Sequence, residues 1–430
     1  MASNLHLDHR IAIAAGFVCL GLSASISSAV GLTLYGDGAL YFLEILLERG
    51  PLVPNQRIGA AIPQLPLLLA MGVTDQVTIL RYVFCFGYGL LSFVSAFICW
   101  LVVRGRKPEL MLFPALFLAA NQINFSGVSE LFLCLYLGWP FLLLACLDHS
   151  GAKVTAFGVA LAPLLFFLHP LAFLLLLFLG LVLHLLAWTG GQESRSWTRL
   201  AALFMGLGLL RLLWSVLGTN AYERSYLQSE SAAYYLFPDS TIQVGLLCAI
   251  LLLGVAIAGR FSRLPSTALQ SDAHPGSGKW AGGVQEHRLR RLFITSWLLW
   301  LLAALTAALG LAVAAEIHFG GGVKLKSAVV FPLALALMAI AVVVARQPRV
   351  QRQGATWASY FLLITLVATV IGLSKAHAWH RATHDLAGAM ATSPSACIRF
   401  GPDEPHALQP AHMSPVDNWT APINALIFQT

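Results

Sequence analysis

A single carboxylate stands between two glycines in the stretch LYGDGALYFLEILLERG, residues 34–50. Tyr41 and Glu44 follow Asp37 at steps of four and three, which places the three side chains on one face of a predicted helix. Glycines leave room for a bulky ligand to approach the carboxylate closely. Asp37 is therefore a candidate functional residue, at a position that a ligand can reach.

The same carboxylate has a structural interpretation, in which Asp37 is the N-cap of this helix. An N-cap side chain accepts hydrogen bonds from the first backbone N–H groups, which have no partner within the helix. Asparagine caps a helix about as well as aspartate but carries no charge. The two interpretations therefore differ in whether the charge of Asp37 is needed.

Cationic residues that could hold a phosphate group form the second set of candidates. Arginine presents a planar fork that matches phosphate oxygens, whereas lysine acts as a point charge. A reaction that expels a phosphate needs such a cation together with a base. The candidates are Arg57, Arg81, Arg211, Arg224, Lys324 and Lys326.

Three ionisable residues, Arg211 again among them, lie within or at the ends of apolar segments, where charge is costly and therefore informative. Glu130 and His169 stand at segment ends, where helix capping or snorkelling to the membrane interface is the ordinary explanation. Arg211 has apolar residues on most sides, and we expect it to be functional. All three are candidate substrate-binding residues.

The composition predicts the element that positions these groups, a bundle of membrane-spanning helices. Of the 430 residues, 58% are hydrophobic and only 10% are charged, and the mean hydropathy is +0.76. A soluble domain of this length does not approach these values. The chain is predicted to be an all-α polytopic membrane protein.

About eleven apolar segments can be measured against the roughly 20 residues that a helix needs to cross a bilayer. They are 11–34, 77–103, 109–123, 128–147, 154–168, 170–189, 199–218, 241–259, 292–316, 327–345 and 357–374. Residues 58–74 are apolar but short and contain two prolines, so we predict an interfacial or re-entrant piece there.

The distribution of Lys and Arg predicts the orientation of the bundle. With the N-terminus inside, 16 of the 26 Lys and Arg residues fall in inner connections, including the clusters at 104–107 and 287–291. Asp37 and the first loop then lie outside, as does the C-terminus. The net charge of +7 is explained by the inner connections, and no nucleic-acid partner is expected.

This topology divides the chain into a transmembrane domain, 1–374, and a short external C-terminal tail, 375–430. Within the first lie an external loop, 35–76, whose amphipathic helix we place on the outer membrane surface, and a Gly-, Ser- and Pro-rich inner linker, 260–291. His377, His380 and His384 in the tail have helical spacing suited to zinc, but a solvated helix end is the expected explanation. We assign no metal ligand.

The first loop resembles that of the GT-C membrane glycosyltransferases, and most closely the bacterial aminoarabinose transferases and protein O-mannosyltransferases. The resemblance rests on one span followed by D37-GAL-Y41-FLE, then PLVPNQRIG and a proline-interrupted apolar stretch. It covers about residues 11–75, and the predicted topology extends it loosely to the whole chain.

That resemblance implies a GT-C-like fold and transfer of a sugar from a polyprenyl-phosphate carrier to an extracytoplasmic acceptor. Asp37 matches the loop aspartate that acts in the family as a base or as a ligand of a divalent metal. The implied partners are the lipid-linked donor and membrane lipid, and the implied location is the bacterial inner membrane. The sugar and the acceptor stay open.

Two other classes of protein fit the sequence. A secondary transporter or lipid flippase would place its polar site near the middle of the bilayer, on broken helices. A non-catalytic membrane subunit would bind a lipid or a partner without turnover, since a fold alone does not establish chemistry.

Overall fold

The computed structural model describes residues 9–35, 37–54, 57–122, 128–148, 151–190, 194–218, 330–346 and 354–392. Throughout these ranges the regular structure is helical and no strand occurs, which confirms the all-α prediction. Two of the expected spans, 241–259 and 292–316, and the linker 260–291 lie outside the described residues.

The described residues form α-helices that we number α1 to α12, with three short 3₁₀ helices between them. The α-helices are α1 His9–Ala29, α2 Asp37–Glu48, α3 Leu65–Met71, α4 Val77–Gly89, α5 Leu91–Val103, α6 Leu112–Asn121, α7 Glu130–Leu147, α8 Ala152–Phe166, α9 Ala172–Gly190, α10 Ser194–Leu217, α11 Phe331–Arg346 and α12 Gly354–Thr392. The 3₁₀ helices are Leu32–Leu34, Ile58–Gln64 and Pro108–Met111.

Five helical segments in the described ranges are long and apolar enough to cross a membrane. They are His9–Ala29, Val77–Val103, Glu130–Leu147, Arg195–Ser215 and Trp357–Arg381. Shorter apolar helices are Ile58–Met71, Pro108–Asn121, Ala152–Phe166, Ala172–Trp188 and Phe331–Arg346. These helices are compatible with an integral membrane protein.

Small residues let the helices of the bundle approach closely. Helix α1 packs against α12 and α4, and a Cβ atom added at Gly372 of α12 would lie 2.4 Å from Ser23 Oγ. One added at Gly89 of α4 would lie 2.1 Å from Ser28 Oγ. Close contact of this kind drives helix association where the surroundings are as apolar as the side chains.

Helix α12 runs well past residue 374, where the predicted last span ends. Its extension buries Lys375 and Trp379, which are 6% and 0% exposed, and the Trp379 ring meets Tyr35 edge-on at 5.8 Å. Hydropathy falls at Lys375, but packing against the first loop keeps the chain helical. The first part of the segment assigned to the tail therefore belongs to the bundle.

The two ends of helix α7, which we call its poles, lie near side chains of opposite charge. Near its C-terminal end, the Nζ of Lys107 donates to the Ala345 carbonyl at 2.7 Å, and Arg346 lies close to Cys146. Its N-terminal end begins with Glu130. The helix has 18 residues, which span roughly 27 Å at 1.5 Å per residue, close to the thickness of a bilayer core.

Candidate active site

The first loop folds as a helix that begins at Asp37 itself, so this residue is the first helical position and not the N-cap of the structural interpretation. The next residue, Gly38, is pressed against the preceding 3₁₀ turn. A Cβ atom at Gly38 would lie only 1.8 Å from the carbonyl oxygen of Thr33. A neighbouring backbone thus fills the space beside Gly38, where the sequence suggested room for a ligand.

Helix α2 turns one of its apolar faces toward the protein interior. Phe42 and Ile45 are fully buried, whereas Leu47 is 69% exposed. Asp37, Tyr41 and Glu44 still share a face, and Tyr41 on that face is buried while the other two are half-buried. The face that carries the candidate base is therefore directed toward the protein.

Tyr41 reaches Glu130 at the start of α7, and Glu130 in turn pairs with Arg57. The Tyr41 hydroxyl donates to Glu130 Oε1 at 2.6 Å, and Arg57 Nη1 lies 3.3 Å from Glu130 Oε2. The side chains of Arg57 and Glu130 are 15% and 9% exposed. Charges this sheltered are costly unless paired and hydrogen-bonded, and here both oxygens of Glu130 are engaged.

Asp37 belongs to the same electrostatic neighbourhood. Burial raises the pKa of the Tyr41 hydroxyl well above its ordinary value, and the negative charges of Glu130 and then Asp37 raise this pKa further. Tyr41 is therefore a neutral hydrogen-bond donor at physiological pH. The structure brings together four of the predicted site residues: Asp37, Tyr41, Arg57 and Glu130.

A short connection holds Arg57 in place. The Gln64 side chain, fully buried, makes two 2.8 Å hydrogen bonds to Leu52, accepting from its N–H and donating to its carbonyl. Gly59 donates its N–H to the Phe167 carbonyl at 3.3 Å, just beyond the end of α8. Arg57 lies between these two anchors, so the loop cannot swing away without breaking them.

Arg211 lies on α10 and is buried, with 5% exposure. Its guanidinium carbon stands 5.7 Å from the centre of the Phe166 ring, within the range of a cation–π interaction. On α7, Cys134 lies near enough to Glu130, Arg57 and Arg211 to interact with all three charges. Arg211 is thus in the neighbourhood of the network, against α7 and α8.

His169 and Arg81 have local roles in the structure. The Nδ1 of His169 accepts the backbone N–H of Leu171 at 3.1 Å, the capping arrangement expected at a segment end. Arg81 is half-buried on α4, with its guanidinium carbon 5.3 Å from the centre of the Tyr82 ring. The remaining predicted cations, Arg224, Lys324 and Lys326, lie outside the described residues.

A polar cavity that the sequence did not suggest lies beside the network. It encloses about 110 Å³, and Lys375 lines it together with Ser23, Ser27, Tyr88, Ser92 and Gln122. Neither Asp37 nor Arg211 lines this cavity. Steps of four residues separate Lys375, Trp379 and Thr383, and all three side chains are buried. This helical spacing is the sequence pattern that could have revealed a buried lysine.

Among the residues that the structure describes, no group of three or more His, Cys, Asp or Glu side chains could hold a metal ion. The His380 and His384 rings have their centres 6.4 Å apart on α12. Comparison with known proteins found no match to the chain among protein-family models, curated proteins or solved structures.

Proposed function

We propose that the chain is a membrane glycosyltransferase of the GT-C type, which moves a sugar from a polyprenyl-phosphate carrier to a hydroxyl acceptor. The observation that carries the proposal is the placement of Asp37 beside a buried Tyr41–Glu130–Arg57 network at one pole of an apolar helical bundle. A lipid-linked donor can reach such a pole from the bilayer, and the acceptor can reach it from water.

In the proposed reaction, the acceptor oxygen attacks the anomeric carbon of the sugar and the bond from that carbon to the phosphate oxygen breaks. The bonding electrons leave with the phosphate, which stays on the lipid. The acceptor loses its proton to Asp37, and this general-base step is expected to contribute about 10²–10⁴ in rate. The departing phosphate gains charge and is stabilised by a cation.

We assign the role of general base to Asp37, because both oxygens of the other nearby carboxylate already have hydrogen-bond partners. Glu130 accepts the Tyr41 hydroxyl on one oxygen and pairs with Arg57 on the other. The Asp37 side chain is half-buried, at the first turn of α2, where solvent or an acceptor can reach it. Tyr41 and Arg57 then act as positioning residues that fix the start of α7 against α2.

The Lys and Arg distribution supports an extracytoplasmic site, as in a bacterial inner membrane. Lys107 and Arg346 both lie near Cys146, at the opposite pole of α7 from Glu130, as that rule expects of an inner face. A transporter or lipid flippase is the second candidate, because the cavity around Lys375 lies between several helices.

One assay separates the two candidates. Purified protein in detergent is incubated with polyprenyl-phosphate-linked sugars and an extract of envelope acceptors, and the lipids are followed by mass spectrometry. A glycosyltransferase converts the donor to polyprenyl phosphate and makes an acceptor heavier by one sugar. A transporter leaves both unchanged in detergent, yet moves the lipid or solute across the membrane of a sealed vesicle.

A further inference from the structure

We propose that the cavity lined by Lys375 is a binding site for a phosphate group. It combines one buried cation with hydroxyl and amide groups contributed by several helices. Lys375 comes from α12, Ser23 and Ser27 from α1, and Ser92 from α5. No carboxylate is among the described residues that line the cavity.

The chemistry of this lining selects an anion. A lysine ammonium offers three donors and no acceptor, and serine hydroxyls rotate to donate to whichever oxygen is present. Phosphate oxygens accept several hydrogen bonds at once, and those from charged donors are the strongest. A volume of about 110 Å³ holds several waters or one small polyatomic anion.

Lys375 combines deep burial with a place in the wall of a cavity. At 6% exposure Lys375 lies among helices with a large apolar core, where a charge is expensive unless it is compensated. Polar side chains such as Ser23 and Gln122 share the lining with apolar ones such as Leu20 and Phe93, and a bound anion would place a negative charge beside the lysine. Intramembrane cations of this kind commonly mark a ligand site.

The position of the cavity connects it with the active site. Its lining includes Ser129, the residue before Glu130, and Thr33, whose carbonyl touches Gly38 at the start of α2. The cavity thus adjoins the network from the side of α1 and α12. If it holds the phosphate of the lipid-linked donor, Lys375 is the cation that stabilises the leaving group. Only this last identification rests on the proposed function.

The test measures binding, so that it does not depend on glycosyl transfer. Purified protein in detergent is titrated with polyprenyl monophosphate, the corresponding polyprenol and inorganic phosphate, and complexes are quantified by native mass spectrometry. Polyprenyl monophosphate is expected to bind, and Lys375→Gln is expected to weaken this binding by about tenfold or more, the scale of one charge-assisted hydrogen bond. Lys107→Gln, which removes a lysine at the opposite pole, is the matched control and is expected to bind as the parent does.

A cavity-filling variant provides an independent arm. Ser92→Leu retains Lys375 but places a larger apolar side chain in the cavity, and it is expected to lose binding even if Lys375→Gln fails to fold. Binding of inorganic phosphate with the same dependence on Lys375 and Ser92 supports the site and identifies free phosphate as a ligand. Equal binding of polyprenol and polyprenyl monophosphate, or binding unchanged in folded Lys375→Gln and Ser92→Leu, overturns the proposal. Phosphate binding without detectable transfer supports the site and counts against the glycosyltransferase.

Discussion

The hydroxyl of Tyr41 donates a 2.6 Å hydrogen bond to Glu130, a residue 89 positions away in the sequence. This bond joins the helix of the first loop to the start of α7, and Arg57 completes it from the opposite side of the carboxylate. The first loop is therefore an integral part of the bundle, and the orientation of Asp37 depends on a contact with a distant helix.

Replacing Tyr41 by Phe should destabilise the protein measurably. The substitution leaves Glu130 Oε1 buried without its donor, and the loss of one partner of a hydrogen bond to a charged group costs about 1–3 kcal/mol. The unfolding free energy in detergent measures this change. Tyr82→Phe removes a hydroxyl from a side chain on α4 that is 39% exposed, and it should stay within about 0.5 kcal/mol of the parent. Equal effects of the two substitutions would contradict the buried bond.

Alkaline pH should weaken the fold through the same residue. Burial and the neighbouring carboxylates raise the pKa of folded Tyr41, whereas an unfolded tyrosine titrates near about 10. Above that pH the unfolded chain loses a proton that the folded protein keeps, so stability falls as pH rises. Melting temperatures measured between about pH 8 and 11 should fall more steeply for the parent than for Tyr41→Phe. The same pH dependence of melting temperature in the parent and in Tyr41→Phe would show that the pKa of Tyr41 is not raised by folding.

Gly38 should tolerate no side chain. Alanine would place its Cβ 1.8 Å from the Thr33 carbonyl, so the start of α2 must move or the protein must unfold. Gly206→Ala on α10 is the matched control, since nothing lies within 4 Å of its added Cβ. Alanine also stabilises a helix interior by about 0.5–1 kcal/mol relative to glycine. A melting temperature of Gly38→Ala equal to or higher than that of Gly206→Ala would contradict the close packing of Gly38 against Thr33.

Several helices could be predicted from the sequence because a bilayer fixes their length and composition. The apolar segment 128–147 corresponds to α7, Glu130–Leu147, and the segment 11–34 overlaps most of α1, His9–Ala29. Each segment is mostly apolar and free of Lys, Arg and Asp, so hydropathy alone locates it. Hydropathy also predicted that the last span ends at 374. It contains no information on the packing of Trp379 against Tyr35, which extends the helix further.

The inward face of α2 and the pairing at Glu130 could not be predicted in this way. Leucines and aromatic residues alternate around α2, so both of its faces are apolar enough to be buried. The choice between them is made by Tyr41 and Glu130, which are far apart in the sequence. The sequence makes Glu130 a candidate substrate-binding residue at a segment end, but it does not identify Tyr41 or Arg57 as partners of this carboxylate.

Labelling should place the two poles of α7 on opposite sides of the membrane. Arg49→Cys, just after α2, and Gly105→Cys, just after α5, both introduce a thiol at an exposed position. In intact cells, with Cys397 of the external tail replaced by Ser in both variants, a membrane-impermeant maleimide is expected to label the first variant alone, and in opened membranes both, because basic connections face inward. Labelling of Gly105→Cys but not Arg49→Cys in intact cells would invert the orientation and move the site to the cytoplasmic side.

The measurement that tests the account most directly is sugar transfer by Asp37→Asn. Asn has nearly the same shape as Asp and keeps one oxygen that accepts hydrogen bonds, but it cannot act as a base, so the variant should melt within a few degrees of the parent. Turnover should fall by about 10² or more. Glu48→Gln removes an exposed acid from the same helix and should transfer sugar at the parental rate. Near-parental turnover by well-folded Asp37→Asn would remove Asp37 from the mechanism and contradict the glycosyltransferase proposal as argued from this site.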